Sequence, residues 1–103
     1  MKLARATGEY QTWLRIRLSI AAFAYEFDAT SIISDAEFDK LCLEVDTSIA
    51  TARPDLDKWF KRNFNSATGM WIRGHPELKK IEALYTKHWR GTGVHKSSGD
   101  IQN

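Results

Sequence analysis

Cysteine, proline and long apolar runs are scarce in this sequence. It has one cysteine, Cys42, and two prolines among 103 residues. A single thiol cannot form an intrachain disulfide or a cysteine metal site, which favours a reducing compartment. The longest apolar run, "IAAFAY", is far too short to span a bilayer, and "MKLARATGEY" is not followed by the apolar core of a signal peptide. We therefore expect a cytoplasmic protein with no membrane partner.

Neither sign of charge dominates the chain. Fifteen Lys and Arg residues face thirteen Asp and Glu residues, for a net charge of +2. This balance lacks the dense positive field of a dedicated nucleic-acid binder. The sequence is 43% hydrophobic and 12% aromatic, which excludes a disordered composition. Its length fits one small domain.

Helical signals dominate the first half of the sequence. Positions 9–27 contain no glycine or proline, and their apolar residues recur at helical spacing, which predicts a long first helix. Ser34 and Glu37 have the spacing of a capping box, in which the serine oxygen accepts the Glu37 N–H. A second helix is therefore predicted from Asp35 to about Val45, forming a hairpin with the first.

Two prolines mark the predicted starts of the remaining helices. Pro54 is predicted to open a third helix and Pro76 a fourth, which Gly91 would end. The stretch "MWIR" between them is compatible with a short strand or a packed loop. The prediction is an all-α fold: a single four-helix domain over residues 1–91, followed by a flexible tail over residues 92–103.

The stretch "SIISDAEFDKL" contains the strongest candidate site. Asp35 and Asp39 are four positions apart, so they share one face of a helix, with Phe38 beside them. Together with Tyr25 they could hold a cationic ring between aromatic side chains. The simpler interpretation is a helix start with a favourable acidic first turn and Phe38 in the core. Both interpretations stay open from the pattern alone.

Tyr25 followed by "SDAEFD" resembles a known family motif. The segment 18–45 is similar to the N-terminal Ia domain of bacterial NAD-dependent DNA ligases, which reads Tyr-His, a spacer, and Ser-Asp-Ala-Glu-Tyr-Asp. That small helical domain binds the nicotinamide mononucleotide (NMN) half of NAD. Small phage proteins related to these ligases look similar too, including the later "GMWIR" and "HPEL" stretches.

The resemblance implies a cofactor-binding role for five residues. Tyr25 matches the tyrosine that stacks on the nicotinamide ring, and Asp35 and Asp39 match the two acidic residues of the motif. Phe38 replaces a tyrosine, so it could stack but not donate a hydrogen bond. Glu26 replaces the usual histidine, which adds negative charge where the family has a neutral or positive ring.

The ligase catalytic motif is missing from this chain. No lysine is followed by x-Asp-Gly, whose lysine attacks the α-phosphate in the ligases. We therefore predict no enzyme and no required cofactor. The predicted function is a small binding module that acts through a protein partner in phage or bacterial DNA metabolism, or as an anti-defence inhibitor or decoy. It would act in the host cytoplasm if a phage encodes it. The alternative functions are a module that binds NMN or NAD and a nucleic-acid-binding accessory protein. Self-association into a homodimer is also compatible with the sequence.

Two further surfaces are candidates. Met70, Trp71 and Arg73 lie between two glycines, where an exposed loop would bind a protein partner, although Trp71 could instead pack between helices. A nucleic-acid surface could combine basic side chains with stacking by Trp59, Trp71 or Trp89. Its basic residues are Lys58, Lys61, Arg62, Lys80 and Lys87. The three histidines have no metal-ligand spacing, so no metal site is predicted.

Overall fold

The computed structural model describes residues 7–89 and 94–95. Within these residues the chain forms an all-α fold, as the sequence predicts, with four α-helices, one short 3₁₀ helix and two very short strands. In chain order the elements are α1 (Gly8–Asp28), β1 (Thr30–Ser31), α2 (Asp35–Glu44), α3 (Pro54–Asn63), the 3₁₀ helix (Met70–Gly74), α4 (Leu78–His88) and β2 (Val94–His95).

The long helix α1 is the centre of the fold, and α2, α4 and the 3₁₀ helix all contact it. It begins where the Thr7 side chain accepts the Tyr10 N–H at 3.1 Å. Its last residue is Asp28, and the C-cap residue Ala29 has a left-handed backbone (φ 49°) that turns the chain into β1. Leu14 and Leu18 are fully buried on its inner face. Ile20, Ala21 and Phe23 of the same helix are also buried in the core.

Part of the predicted apolar surface of α1 instead faces solvent. Trp13, Ile16 and Phe27 are each more than two-fifths exposed. The apolar residues of α1 extend around a wider arc of the helix than α2, α4 and the 3₁₀ helix cover. Periodicity alone therefore overestimated how much of α1 is buried.

Helices α2 and α3 begin where the local signals place them. The Ser34 hydroxyl accepts the Glu37 N–H at 3.0 Å, which confirms the serine half of the capping box. Pro54 is the first residue of α3, because its missing N–H and fixed φ suit that position. Helix α3 directs Phe60 into the core, where it is 2% exposed.

The segment from Met70 to α4 differs from the prediction in two ways. "MWIR" is neither a strand nor a loop: it forms a 3₁₀ helix, with Ile72 N–H donating to the Gly69 carbonyl at 3.1 Å. Helix α4 begins at Leu78 rather than at Pro76, and it ends at His88. Gly91, the predicted end signal, lies outside the described residues.

An aromatic cluster fills the space between α3 and the 3₁₀ helix. Trp71 packs against Phe60 and Phe64 at ring-centroid distances of 5.5 and 5.2 Å. Trp59 meets the edge of Trp71 at 6.2 Å and the His75 ring at 5.0 Å. The cluster attaches α3 to the rest of the domain through aromatic contacts.

The two short strands were not predicted. They pair antiparallel, with Thr30 opposite His95 and Ser31 opposite Val94. The pairing fixes the loop that connects α1 to α2. Of the predicted tail, only Val94 and His95 fall within the described residues. In that described part of the chain, no helix is both long enough and apolar enough to cross a membrane.

Candidate functional site

A cavity of about 360 Å³ lies between α1, the start of α2 and the segment just before the 3₁₀ helix. All five residues that the ligase-like motif nominated line it. They are Tyr25, Glu26, Asp35, Phe38 and Asp39. The structure thus brings the whole predicted acidic and aromatic set together in one concave site.

Two helices supply these side chains at helical spacing. Tyr25 and Glu26 are consecutive in the last two turns of α1. Asp35, Phe38 and Asp39 are at positions i, i+3 and i+4 of α2, so all three project from one face of its first turns. The left-handed turn at Ala29 and the loop after it direct these two faces toward the same cavity.

Small residues form the floor of the cavity between the aromatic side chains. A Cβ atom at Gly69 would lie 3.3 Å from the Ala22 Cβ and 3.4 Å from the Phe38 Cζ. Glycine therefore lets the segment 67–69 approach α1 and Phe38 closely. Tyr25 is 49% exposed although it lines the cavity. Its ring is therefore accessible to a ligand.

The cavity carries negative charge. Glu26, Asp35 and Asp39 line it, and none of the described residues that line it is Lys, Arg or His. The Glu26 carboxylate is mostly buried and accepts from Arg73, whose Nη2 lies 3.0 Å away and whose Nε lies 3.1 Å away. The same guanidinium lies over the Phe27 ring at 5.1 Å. Arg73 therefore compensates part of the charge of Glu26 from outside the cavity.

Sequence reasoning missed the residues that complete this cavity. Ser31 and Ile33 come from the loop after α1, and Thr68 and Gly69 come from the segment before the 3₁₀ helix. The isolated glycine in "SATGM" was the one local signal for a close backbone approach. No local sequence signal indicated that Gly69 would lie against Ala22.

The predicted partner surface is only partly exposed. Trp71 is 7% exposed inside the aromatic cluster, so its side chain cannot form the predicted contact, and the packing interpretation applies to it. Met70 is 60% exposed, and the Arg73 side chain is 53% exposed. The exposed part of this surface is therefore Met70 and Arg73.

The predicted basic residues are exposed on two separate helices. Lys58, Lys61 and Arg62 are on α3, and Lys80 and Lys87 are on α4. The tryptophans proposed as stacking surfaces are engaged within the fold. Trp59 and Trp71 contact each other, and the Arg17 guanidinium covers Trp89 at 5.2 Å. Of these three tryptophans, Trp71 is buried, and Trp59 and Trp89 are only partly exposed.

His75 is buried in the aromatic cluster, where its ring centroid lies 5.0 Å from that of Trp59. Its Nδ1 accepts the Glu77 N–H at 2.9 Å. Burial lowers the pKa of His75; the nearby Glu77 carboxylate opposes this change, and Arg53 adds to it. Among the residues that the structure describes, no group of three or more His, Cys, Asp or Glu side chains could hold a metal ion.

No protein-family model, curated protein or solved structure matches this chain. The likeness to the ligase Ia domain therefore rests on the sequence motif itself. The geometry of the cavity is an independent observation, because it comes from the packing of this chain.

Proposed function

We propose that this protein is a small non-catalytic binding module whose cavity holds the positively charged ring of a nicotinamide compound. The ligands that the resemblance implies are NMN and NAD. The observation that carries the proposal is the convergence of Tyr25, Phe38, Asp35 and Asp39 on one cavity. These residues come from two helices and were nominated by the sequence motif.

The chemistry of the cavity suits a flat cation. Aromatic faces attract a positive ring, and Tyr25 and Phe38 provide two such faces. The carboxylates of Asp35 and Asp39 can accept hydrogen bonds from a carboxamide and stabilise the ring charge. A volume of about 360 Å³ falls at the small end of the range for ligand cavities. A single ring with its substituents therefore fits better than a whole dinucleotide.

Binding rather than catalysis is the proposed activity. The sequence has no Lys-x-Asp-Gly motif that could accept an adenylate. The described side chains in the cavity are two aromatic rings, three carboxylates, two isoleucines and small or hydroxyl-bearing groups. This set can recognise a cationic ring, and its described members include no lysine that could accept an adenylate.

Calorimetric titration with NMN, NAD and N-methylnicotinamide tests the proposal. The variant Asp35→Asn removes one carboxylate from the cavity and keeps the shape of the side chain. Asp55→Asn is the matched control, because Asp55 is in the first turn of α3 and does not line the cavity. We expect wild type and Asp55→Asn to bind a nicotinamide compound, and Asp35→Asn to bind it several-fold more weakly. Absence of binding to all three compounds by folded wild type would contradict the proposal.

A protein-binding role is the second candidate function. The observation that favours it is the exposed group formed by Met70, Arg73 and Phe27, in which Arg73 lies over the Phe27 ring. Exposed methionine, arginine and aromatic side chains are typical of interface centres. The DNA-metabolism or anti-defence setting for such a partner comes from the family resemblance.

Variants at the exposed side chains test this second candidate. A partner protein that is retained by the immobilised wild-type protein should not be retained by immobilised Met70→Glu. Leu43→Glu is the control, because Leu43 is 78% exposed on α2. A partner retained equally by both variants would argue against a contact through Met70.

A further inference from the structure

We infer that the cavity selects phosphate-free nicotinamide cations over their phosphorylated forms, and that Glu26 determines this selectivity. The inference rests on the proposed function, because it concerns which nicotinamide compound the same cavity takes. It differs from the expectation that the resemblance alone gives, which is a nucleotide site.

The charges around the cavity favour a cation and oppose an anion. Glu26, Asp35 and Asp39 all line it, and its described lining contains no basic side chain. A phosphate attached to a ring bound between Tyr25 and Phe38 would approach these carboxylates, and no basic side chain of the described lining would offset the repulsion. Like charges repel each other even in bulk water, and they do so more strongly near the surface of a protein.

Glu26 is the acidic residue best placed to act on the substituent of the ring. Its side chain is 13% exposed, so solvent screens it less than an exposed carboxylate. Glu26 also adjoins Tyr25, whose ring forms one of the two aromatic faces. A carboxylate at this position therefore repels a phosphate that is carried on a ring stacked against Tyr25.

Arg73 does not supply the missing phosphate contact. It does not line the cavity, its Nε donates to the Glu26 carboxylate, and its Nη2 donates to the Glu26 backbone carbonyl. Its guanidinium face lies on Phe27. A phosphate would have to displace Glu26 from this charge-assisted pair. Glu26 thus opposes phosphate in two ways: by its own charge and by engaging the neighbouring arginine.

Nicotinamide riboside and NMN provide a matched pair of probes, because they differ only by the 5′-phosphate. We expect wild-type protein to bind the riboside at least about tenfold more tightly than NMN. Glu26→Gln keeps the size of the side chain but removes its charge and weakens its hold on Arg73. We expect this variant to bind NMN several-fold more tightly than wild type, with a smaller change for the riboside.

Two variants control the experiment. Glu82→Gln makes the same charge change on the exposed side of α4, away from the cavity. It should keep the wild-type ratio of the two affinities, which separates a local effect of Glu26 from a change in net charge. Arg73→Met leaves Glu26 charged without its partner, so it should weaken NMN further and widen the ratio. Circular dichroism verifies that each variant is folded.

The outcomes distinguish this inference from the proposed function. A preference for the riboside that Glu26→Gln reduces and Arg73→Met increases would support the inference. Equal affinities for the two compounds in wild type, or a preference unchanged by Glu26→Gln, would overturn the inference and leave the proposed function intact. If neither compound binds to folded wild type, both are overturned.

Discussion

Arg15 on α1 donates from Nη1 to the Oδ1 of Asp57 on α3 at 2.8 Å, and both side chains are largely buried. Arg15 Nη2 also donates to the backbone carbonyls of Asp46 and Ile49 at 2.9 and 3.0 Å. Asp57 accepts from the Thr51 N–H at 2.9 Å and from its hydroxyl at 2.7 Å. One buried ion pair therefore fixes the whole connection between α2 and α3.

Breaking this pair is expected to destabilise the fold strongly. Arg15→Met leaves the Asp57 carboxylate without its cation in a mostly buried place, which should lower the free energy of unfolding by about 3–5 kcal/mol. Urea denaturation measures the change. Asp55→Asn is the control, because it breaks an exposed ion pair with Arg53 and should have little effect. Equal, small effects of both variants would show that the Arg15 pair does not stabilise the connection.

Acid pH is expected to destabilise the protein through His75. Because burial lowers its pKa from the ordinary 6.5, the unfolded chain binds a proton at a higher pH than the native protein does. The stability contribution is thus fully present above pH 6.5 and is lost as the pH falls below it, until the native side chain also titrates. Urea denaturation between pH 5 and pH 8 measures this loss.

His75→Asn is the matched variant for the pH experiment. Its side-chain oxygen can accept the Glu77 N–H that His75 Nδ1 accepts now, and it does not titrate. The slope of stability against pH between about pH 5 and pH 6.5 should be smaller in this variant than in wild type. An unchanged slope would assign the pH dependence to other groups.

Trp71 and Met70 are neighbours in sequence, but substitutions at the two positions are expected to differ greatly in their effect on stability. Trp71 is 7% exposed and Met70 is 60% exposed. Trp71→Ala removes a ring packed against Phe60 and Phe64, so it should cost about 3–5 kcal/mol. Met70→Ala should change the unfolding free energy by less than about 0.5 kcal/mol. Thermal or urea unfolding of the two variants tests this, and similar losses would contradict the buried position of Trp71.

The Cys42 thiol is expected to be unreactive in the native protein. Burial, with a smaller contribution from the Asp39 carboxylate, raises its pKa to about 11. Only the thiolate reacts, so its reaction with Ellman's reagent at pH 8 should be on the order of a hundredfold slower than in urea. The double variant Cys42→Ala with Leu43→Cys moves the thiol to an exposed position, where it should react rapidly. Fast reaction of the native Cys42 thiol would contradict its burial.

Local sequence signals predicted the parts of the fold that local chemistry determines. Ser34 caps α2 and Pro54 opens α3, because each acts on backbone groups within three residues. Pro76 does not start α4, and the reason is also local, although the sequence pattern did not reveal it. The His75 ring accepts the Glu77 N–H, and Glu77 has a non-helical backbone, so α4 begins at Leu78, two residues after Pro76.

Non-local packing determined what the sequence did not predict. The burial of Trp71 depends on Phe60 and Phe64 from another helix, and the β1–β2 pairing joins residues more than sixty positions apart. The candidate site was predictable in its helical half, because Asp35 and Asp39 share a helix face. Its floor was not, since Gly69 meets Ala22 only through the tertiary fold.

The most direct test of the central claim is an NMR titration of the ¹⁵N-labelled protein with nicotinamide riboside. The account predicts saturable shifts confined to amides around the cavity, at positions 21–26, 31–39 and 67–69. Amides of α3 should remain unchanged and serve as the internal reference. Unchanged spectra at millimolar riboside, or shifts centred on α3 or on the basic side of α4, would contradict the claim that this cavity binds a nicotinamide cation.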